Sequence, residues 1–563
     1  MDHILGLTLG ITKRNSDIWS RQFIVTLSSL YTFGHIFLDV SDFELAVDLW
    51  DKVIKVIPIV ALVNTFTDRG IDQSLQSAIQ TFIQRKLRGF YTSDSVYDLE
   101  SSANLSFHCN SIALLAHSVD YAGSIYGISL VRFLTLDILK RFFDALDITN
   151  HLHIPLLFQT LHLFTVVSDT VDEYPDVWKL FEDEKDFFFH KAFCWFLSSD
   201  QVKPKACQST TKALNLLAEV VVETPESMSM DSGDLDKLVN VICHSVNFDL
   251  QKVAYKFSKM LVRDKVHTLS LRLEMGADTE ATKIISNGLL NAIASGAKDE
   301  ESVQYLEKTA SFGYLVCWML VFHHFEDATF ELKSQVLSEI SSTNGLPVLL
   351  FELFRILGVG QTNEVKFELD LEKFDFTEYY IEAFDESSMF SLKLLAAHVY
   401  WKCLDILPSM VRSWWGFLKN RQLSLAVEDF TQKFYSPRLS THQLSAVSTA
   451  DRSLFEGITV KRVLSEIVAT YEIEEAKLGL LIKLPSTYPL RQVEISEAPH
   501  SNRAGVAEKR WKAWLLSVAA VMIGQNGSIV EAIQVFHKND VAPEEVRHVQ
   551  EPVSFIVLVQ GIL

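Results

Sequence analysis

From residue 42 to residue 420, apolar side chains recur at three- and four-residue intervals in segments of 12 to 20 residues, separated by short polar breaks. That period places them along one face of an α-helix. In residues 43–57, Leu45, Leu49, Val53 and Ile57 share a face, Asp42 stands ahead as an N-cap, and Pro58 interrupts the run. The same spacing predicts helices near 71–88, 108–119, 128–146, 154–168, 186–198, 210–223, 235–262, 280–295, 301–325, 328–340 and 389–418. No tetratricopeptide, ankyrin or leucine-rich signature accompanies them. Helices pairing into a degenerate HEAT or armadillo-like solenoid fit best, with an irregular all-α domain as the alternative. Breaks at 223–236, 276–282 and 358–388 read as loops. The last holds nine acids and two lysines between Glu364 and Glu386, with aromatics between them. It reads as a solvated acidic loop rather than a clamp for a basic partner.

Beyond residue 420 the pattern changes. Residues 421–435 continue as a helix and 436–451 are polar and irregular. Within 457–484 the period then drops to two: Ala476, Leu478, Leu480, Ile482 and Leu484 share one parity, opposite Lys477, Gly479 and Lys483. Two or three antiparallel strands are expected there, then a turn at 485–489 and a short strand at 492–496. A last helix over 506–523 carries Trp511, Trp514, Leu515, Val518, Val521 and Met522 on its apolar stripe. The fold class is therefore mainly α, a HEAT/armadillo-like helical region over 1–407 followed by a small α+β domain over 408–540.

Composition supports a folded chain: apolar residues make up 48% of the 563, and Gly and Pro number only 22 and 13. Net charge is −20, so a uniform surface would repel nucleic acid and anionic membranes. The small domain is different. Residues 408–540 hold 16 Lys and Arg against 13 Asp and Glu, whereas 1–407 hold 34 against 55. An anionic partner is expected to meet this domain. DNA is not expected as a partner of so acidic a chain, and a membrane is not expected because the most apolar stretches, 312–325 and 514–523, fall short of the 18 residues that span a bilayer. The first residues lack the pattern of a signal peptide, and six scattered cysteines without a C-x-x-C pair predict a reducing, cytosolic setting.

Candidate chemistry is sparse. His323–His324 and His151-x-His153 have no cysteine nearby, and a metal role is not expected. No P-loop, dinucleotide fingerprint or nucleophile elbow occurs, and no catalytic residue is assigned. Asn104-Leu-Ser and Asn526-Gly-Ser match the glycosylation pattern, but Asn526–Gly527 reads better as a turn or helix end. Arg503, Lys509, Arg510 and Lys512 flank or occupy the last helix, with Trp511 and Trp514 between them. The tryptophans belong to the core stripe, and the cations read as the helix's solvated face, with contact to an anionic partner as the alternative.

Residues 484–490 (LPSTYPL), set between two strands, resemble an RWD domain, a relative of the ubiquitin-conjugating enzyme fold, with Tyr488 and Pro489 shaping the turn. Val493 stands where that family has a second proline. Ser413-Trp414-Trp415, Gly457 to Lys461, Ala469-Thr470-Tyr471, Arg503 to Val506, Trp511 to Leu515 and Gln525 to Ile529 together resemble the C-terminal region of the Listerin family. These are RING-type E3 ubiquitin ligases of ribosome-associated quality control, with a HEAT/armadillo-like solenoid, an RWD-like domain and a RING. The resemblance implies docking on the large ribosomal subunit that carries a stalled nascent chain on tRNA. It further implies quality-control cofactor proteins as partners and Arg503, Lys509, Arg510 and Lys512 as ribosome contacts.

A RING needs eight Cys and His ligands for two zinc ions. No cysteine follows Cys403, and only His442, His500, His537 and His548 remain. Residues 541–563 are expected to be an atypical tail from a wrongly joined exon or retained intron, where the family has its RING. Zinc, and pairing with a ubiquitin-charged conjugating enzyme, are expected only where a RING is present. A small domain without cysteine cannot carry a thioester. The alternative is a non-catalytic scaffold or adaptor that binds ribosomes or other proteins.

Overall fold

The computed structural model describes residues 129–538 and a few positions between 99 and 116. Within 129–538 it omits 203–207, 225–232, 277–282, 297–303, 361–370, 372–374, 474–475, 502–506 and residues 174, 389 and 500. The helices expected at 43–57 and 71–88, most of 108–119, Asn104, Arg503 and the tail 541–563 lie outside the described residues. The chain divides into two compact units, one within 1–261 and 302–313, the other within 262–301 and 314–563.

In the first unit, α1 (Ser129–Ala145), α2 (Ile154–Glu173), α3 (Pro175–Leu197), α4 (Gln208–Val222) and α5 (Asp234–His244) precede α6 (Phe248–Glu274). Helices close in sequence pack together, α1 on α2, α2 on α3 and α4, α3 on α4, as in a helical repeat array. A phenylalanine cluster forms the core: Phe143 meets Phe188 at 5.0 Å and Trp195 at 4.7 Å, and Phe164 meets Phe189 edge-on at 5.5 Å. The segment 235–262, expected as one helix, is broken at Ser245, whose backbone is extended, and Asn247 caps the restart by accepting from Leu250 N at 3.0 Å. One helix exceeds the expected apolar limit. Residues Ile154–Val171 of α2 are long and apolar enough to cross a membrane, yet 56% of that window is buried inside the protein, and Leu156, Leu157, Leu161 and Phe164 are core.

In the second unit, α7 (Asn287–Ser295) and the end of α8 (Gln304–His323) are followed by α9 (Phe330–Ser342), α10 (Gly345–Leu357), α11 (Ser391–Ile406), α12 (Pro408–Gly416), α13 (Arg421–Phe434) and α14 (Ser436–Thr449). Ser286 and Thr329 cap α7 and α9 through their side chains. Gly358, at φ +74°, closes α10 with Val359 N bonded to Phe354 O. Two of these helices correct the sequence reading. No helix was expected over 345–357. Residues 436–449, expected to be irregular, are helical because Ser436 and Gln443 take buried positions beside Leu439 and Leu444, hiding the period behind polar residues. Segment 389–418 splits at Pro408, which starts α12. In the expected acidic loop, Asp375, Glu378, Glu382, Asp385 and Glu386 are solvated, while Phe376, Ile381 and Phe384 are buried.

The α+β part follows: β1 (Ile458–Val463), β2 (Glu466–Ile473), β3 (Ala476–Lys483), β4 (Glu494–Glu497), α15 (Glu508–Ala519) and α16 (Ile529–Lys538). The strands form an antiparallel meander in the order β1–β2–β3–β4, with Ile467 opposite Ile482 and Ala469 opposite Leu480. Leu478, Leu480, Ile482 and Leu484 are buried, the parity the alternation predicts. Instead of running to 523 as α-helix, the last predicted helix passes into a π turn at Ala520–Gly524. The unpredicted α16 buries Ile529, Ala532, Ile533 and Phe536.

Candidate functional site

Helix α15 presents two faces. Trp511, Trp514 and Val518 are buried, and both indoles lie against Phe536 of α16, at 6.0 and 6.5 Å. Lys509, Arg510 and Lys512 are exposed, as is Leu516, which follows Lys509 and Lys512 along the same outer stripe. Lys512 pairs with Glu508 at 2.8 Å, and the Arg510 guanidinium lies 5.5 Å from the Trp514 ring centre. Thus three of the four predicted cations are exposed on α15, Lys509 and Lys512 on one stripe and Arg510 beside Trp514. Arg503 is outside the described residues.

The turn before β4 is set by Pro485 O accepting from Tyr488 N at 3.0 Å and Thr487 O accepting from Leu490 N at 2.9 Å. Tyr488 is buried, which pushes its hydroxyl pKa up, and its bond to Pro489 is cis. Behind the turn lies Arg412 of α12. It donates from Nε to Pro489 O at 3.1 Å and from Nη1 to Ile523 O at 3.2 Å. Asn526, at φ +56°, accepts from Ser409 N at 2.7 Å, and Gln443 Oε1 accepts from Ile529 N at 3.3 Å. Side chains of α12 and α14 therefore hold the α+β part by its backbone. Sequence reasoning missed Arg412 and Gln443, because partners about 80 to 110 residues away leave no local pattern.

The geometry offers binding rather than bond-making. Cys403, the last cysteine, is fully buried in α11, and burial pushes its thiol pKa up. His324 Nδ1 donates to Leu320 O at 2.9 Å, and His153 Nδ1 accepts from Asp147 N at 3.2 Å. Among the described residues no group of three His, Cys, Asp or Glu is placed to hold a metal ion. With no cysteine, residues 404–563 do not supply a RING's zinc ligands.

Residues 213–448 match the model of the LTN1 family HEAT repeat region, and residues 457–541 match a ubiquitin conjugating domain-like model. Residues 213–448 are thus similar to the listerin family's HEAT repeat region, and curated listerins match this chain over part of their length. It is 30% identical to the E3 ubiquitin-protein ligase listerin of Schizosaccharomyces pombe over 307 residues, 53% of this chain and 19% of that one. To the Mus musculus listerin it is 34% identical over 234 residues, 40% of this chain and 13% of that one. The Saccharomyces cerevisiae listerin shares 27% over 250 residues, 43% of this chain and 16% of that one. The chain thus spans less than a fifth of the length of these listerins. Both listerin-type parts meet in the second unit, the HEAT region ending in α14 and the ubiquitin-conjugating-like part opening at β1.

Proposed function

We propose that this chain contributes to ribosome-associated quality control as the ribosome-docking part of a listerin-type E3 ubiquitin ligase, in the cytosol. The α+β domain rests on the large ribosomal subunit near the exit tunnel, so that stalled nascent chains are ubiquitinated for proteasomal degradation. Residues 1–407 serve as the helical-repeat support. One observation carries the reading: a listerin-type HEAT region joined to a ubiquitin-conjugating-like domain whose outer helix shows Lys509, Arg510 and Lys512 in a chain of net charge −20. Counterion release from RNA phosphates favours such a face. The second reading is a non-catalytic helical scaffold or adaptor that binds ribosomes or other proteins.

Co-sedimentation with purified large ribosomal subunits tests the docking. The parent chain is expected to pellet with subunits and to be released by added salt. A K509E/R510E/K512E chain of unchanged circular dichroism is expected to stay in the supernatant, and equal pelleting overturns the role of these cations. A ubiquitin-discharge assay with a charged conjugating enzyme separates the two readings: stimulated discharge rejects the adaptor.

A further inference from the structure

In the second unit, the start of α10 and the junction of α12 and α13 enclose a cleft of about 790 Å³, within the usual range of ligand clefts, about 300–1,000 Å³. Leu346, Pro347, Phe351, Met410, Trp414 and Phe417 form its apolar wall. Two aromatics flank it in the open, Phe351 at 51% exposure and Phe417 at 80%. Together with the apolar wall they make a contiguous apolar patch, the kind of surface that marks an interaction site.

The backbone at Phe417 is tied to the end of α12. Its N–H reaches Ser413 O and Trp414 O, each at 3.1 Å, and Leu418 N reaches Trp415 O at 3.2 Å. Asn420 then caps α13 by accepting from Gln422 N and Leu423 N, and Trp415 Nε1 donates to Ser424 O at 3.1 Å. The backbone that carries the ring is therefore ordered.

A further observation defines the occupant. Lys419 lines the cleft, and exposed Arg421 stands just beyond it.

We propose that this cleft docks an acidic peptide segment of a partner protein, which places a large apolar side chain against Phe351 and Phe417 and its carboxylates beside Lys419 and Arg421. The site lies on the HEAT-type helices and is separate from the cationic face of α15. Its loss and the loss of ribosome docking are therefore read by different variants.

The test selects a phage-displayed library of random peptides, about twelve residues long, on the purified full chain, with depletion on the Phe417→Ser chain. Enriched peptides are expected to combine Asp or Glu with Phe, Trp or Leu. In fluorescence polarisation they should bind about tenfold more weakly to Phe417→Ser and about threefold more weakly to Lys419→Glu, and also more weakly in high salt. Enrichment of basic or uncharged sequences overturns the proposal, as does failure to find any peptide that distinguishes the parent from Phe417→Ser. Sedimentation velocity supplies the other arm: self-association that Phe417→Ser abolishes assigns the cleft to a second copy of the chain and overturns the acidic-peptide proposal. Lys419→Glu, at an exposed position, keeps the charge argument falsifiable should the serine variant misfold.

Discussion

Arg412 donates to the backbone carbonyl of Pro489, 77 residues away, and to that of Ile523, joining the last HEAT-type helices to the turn before β4 and to the end of the α15 segment. Burial lowers its guanidinium pKa, yet it keeps its charge because arginine ordinarily titrates far above neutrality. Arg412→Met leaves both carbonyls without this donor and is expected to cost about 2–3 kcal/mol. Arg412→Lys should recover only part, since an ammonium cannot reproduce the planar fork. Urea unfolding of the three chains, compared by midpoint at equal slope, checks it.

The three described cations of α15 are not equivalent. Lys512 shares its charge with Glu508 and Arg510 leans over Trp514, whereas Lys509 makes no ion pair among the described residues. Lys509→Glu is therefore expected to weaken ribosome co-sedimentation more than Lys512→Glu, because the Lys512 charge is already partly offset by Glu508. Midpoint salt concentrations for release of the single variants give the ranking, and equal midpoints would refute it.

Thr431 bridges two buried groups. Its hydroxyl donates to Val427 O at 2.7 Å, so the 2.7 Å contact with Tyr400 must run from the Tyr400 hydroxyl to Thr431 Oγ1. Thr431→Val strands the tyrosine donor at a fully buried site and should cost about 1–3 kcal/mol. Adding Tyr400→Phe should then cost less than it does alone, because the stranded donor is gone. A double-mutant cycle by chemical denaturation shows the coupling or its absence.

His324 and His398 both have pKa values lowered to about 4, chiefly by burial, with Lys265 and His323 facing the first and Lys402 and His323 the second. In the unfolded chain each titrates near 6.5. Their contribution to stability is therefore complete above pH 6.5 and is lost as pH falls toward 4, up to about 3 kcal/mol each. His398→Asn keeps a donor for Phe376 O and should flatten the fall in stability between pH 7 and pH 5. An unchanged slope would show that other groups carry it.

The helical region and the strand parity were written into the chain, because a period of 3.6 or 2 is a local property that burial of one face imposes on nearby residues. Trp511 and Trp514 could be placed in the core, and Lys509, Arg510 and Lys512 outside it, from spacing alone. Spacing failed where burial did not follow residue type. Helix α14 hides behind buried Ser436 and Gln443, which are polar by letter but packed by their neighbours. The break at Ser245 and Asn247 depends on side-chain caps that a periodic count passes over. What only the tertiary structure decided is which distant groups meet. Arg412 finds Pro489, Asn526 finds Ser409, and Phe417 is left outside a cleft whose walls come from helices some 70 residues apart. Such pairings rest on hydrogen bonds and packing between segments brought together by folding, and these impose no period on the sequence that could be read beforehand.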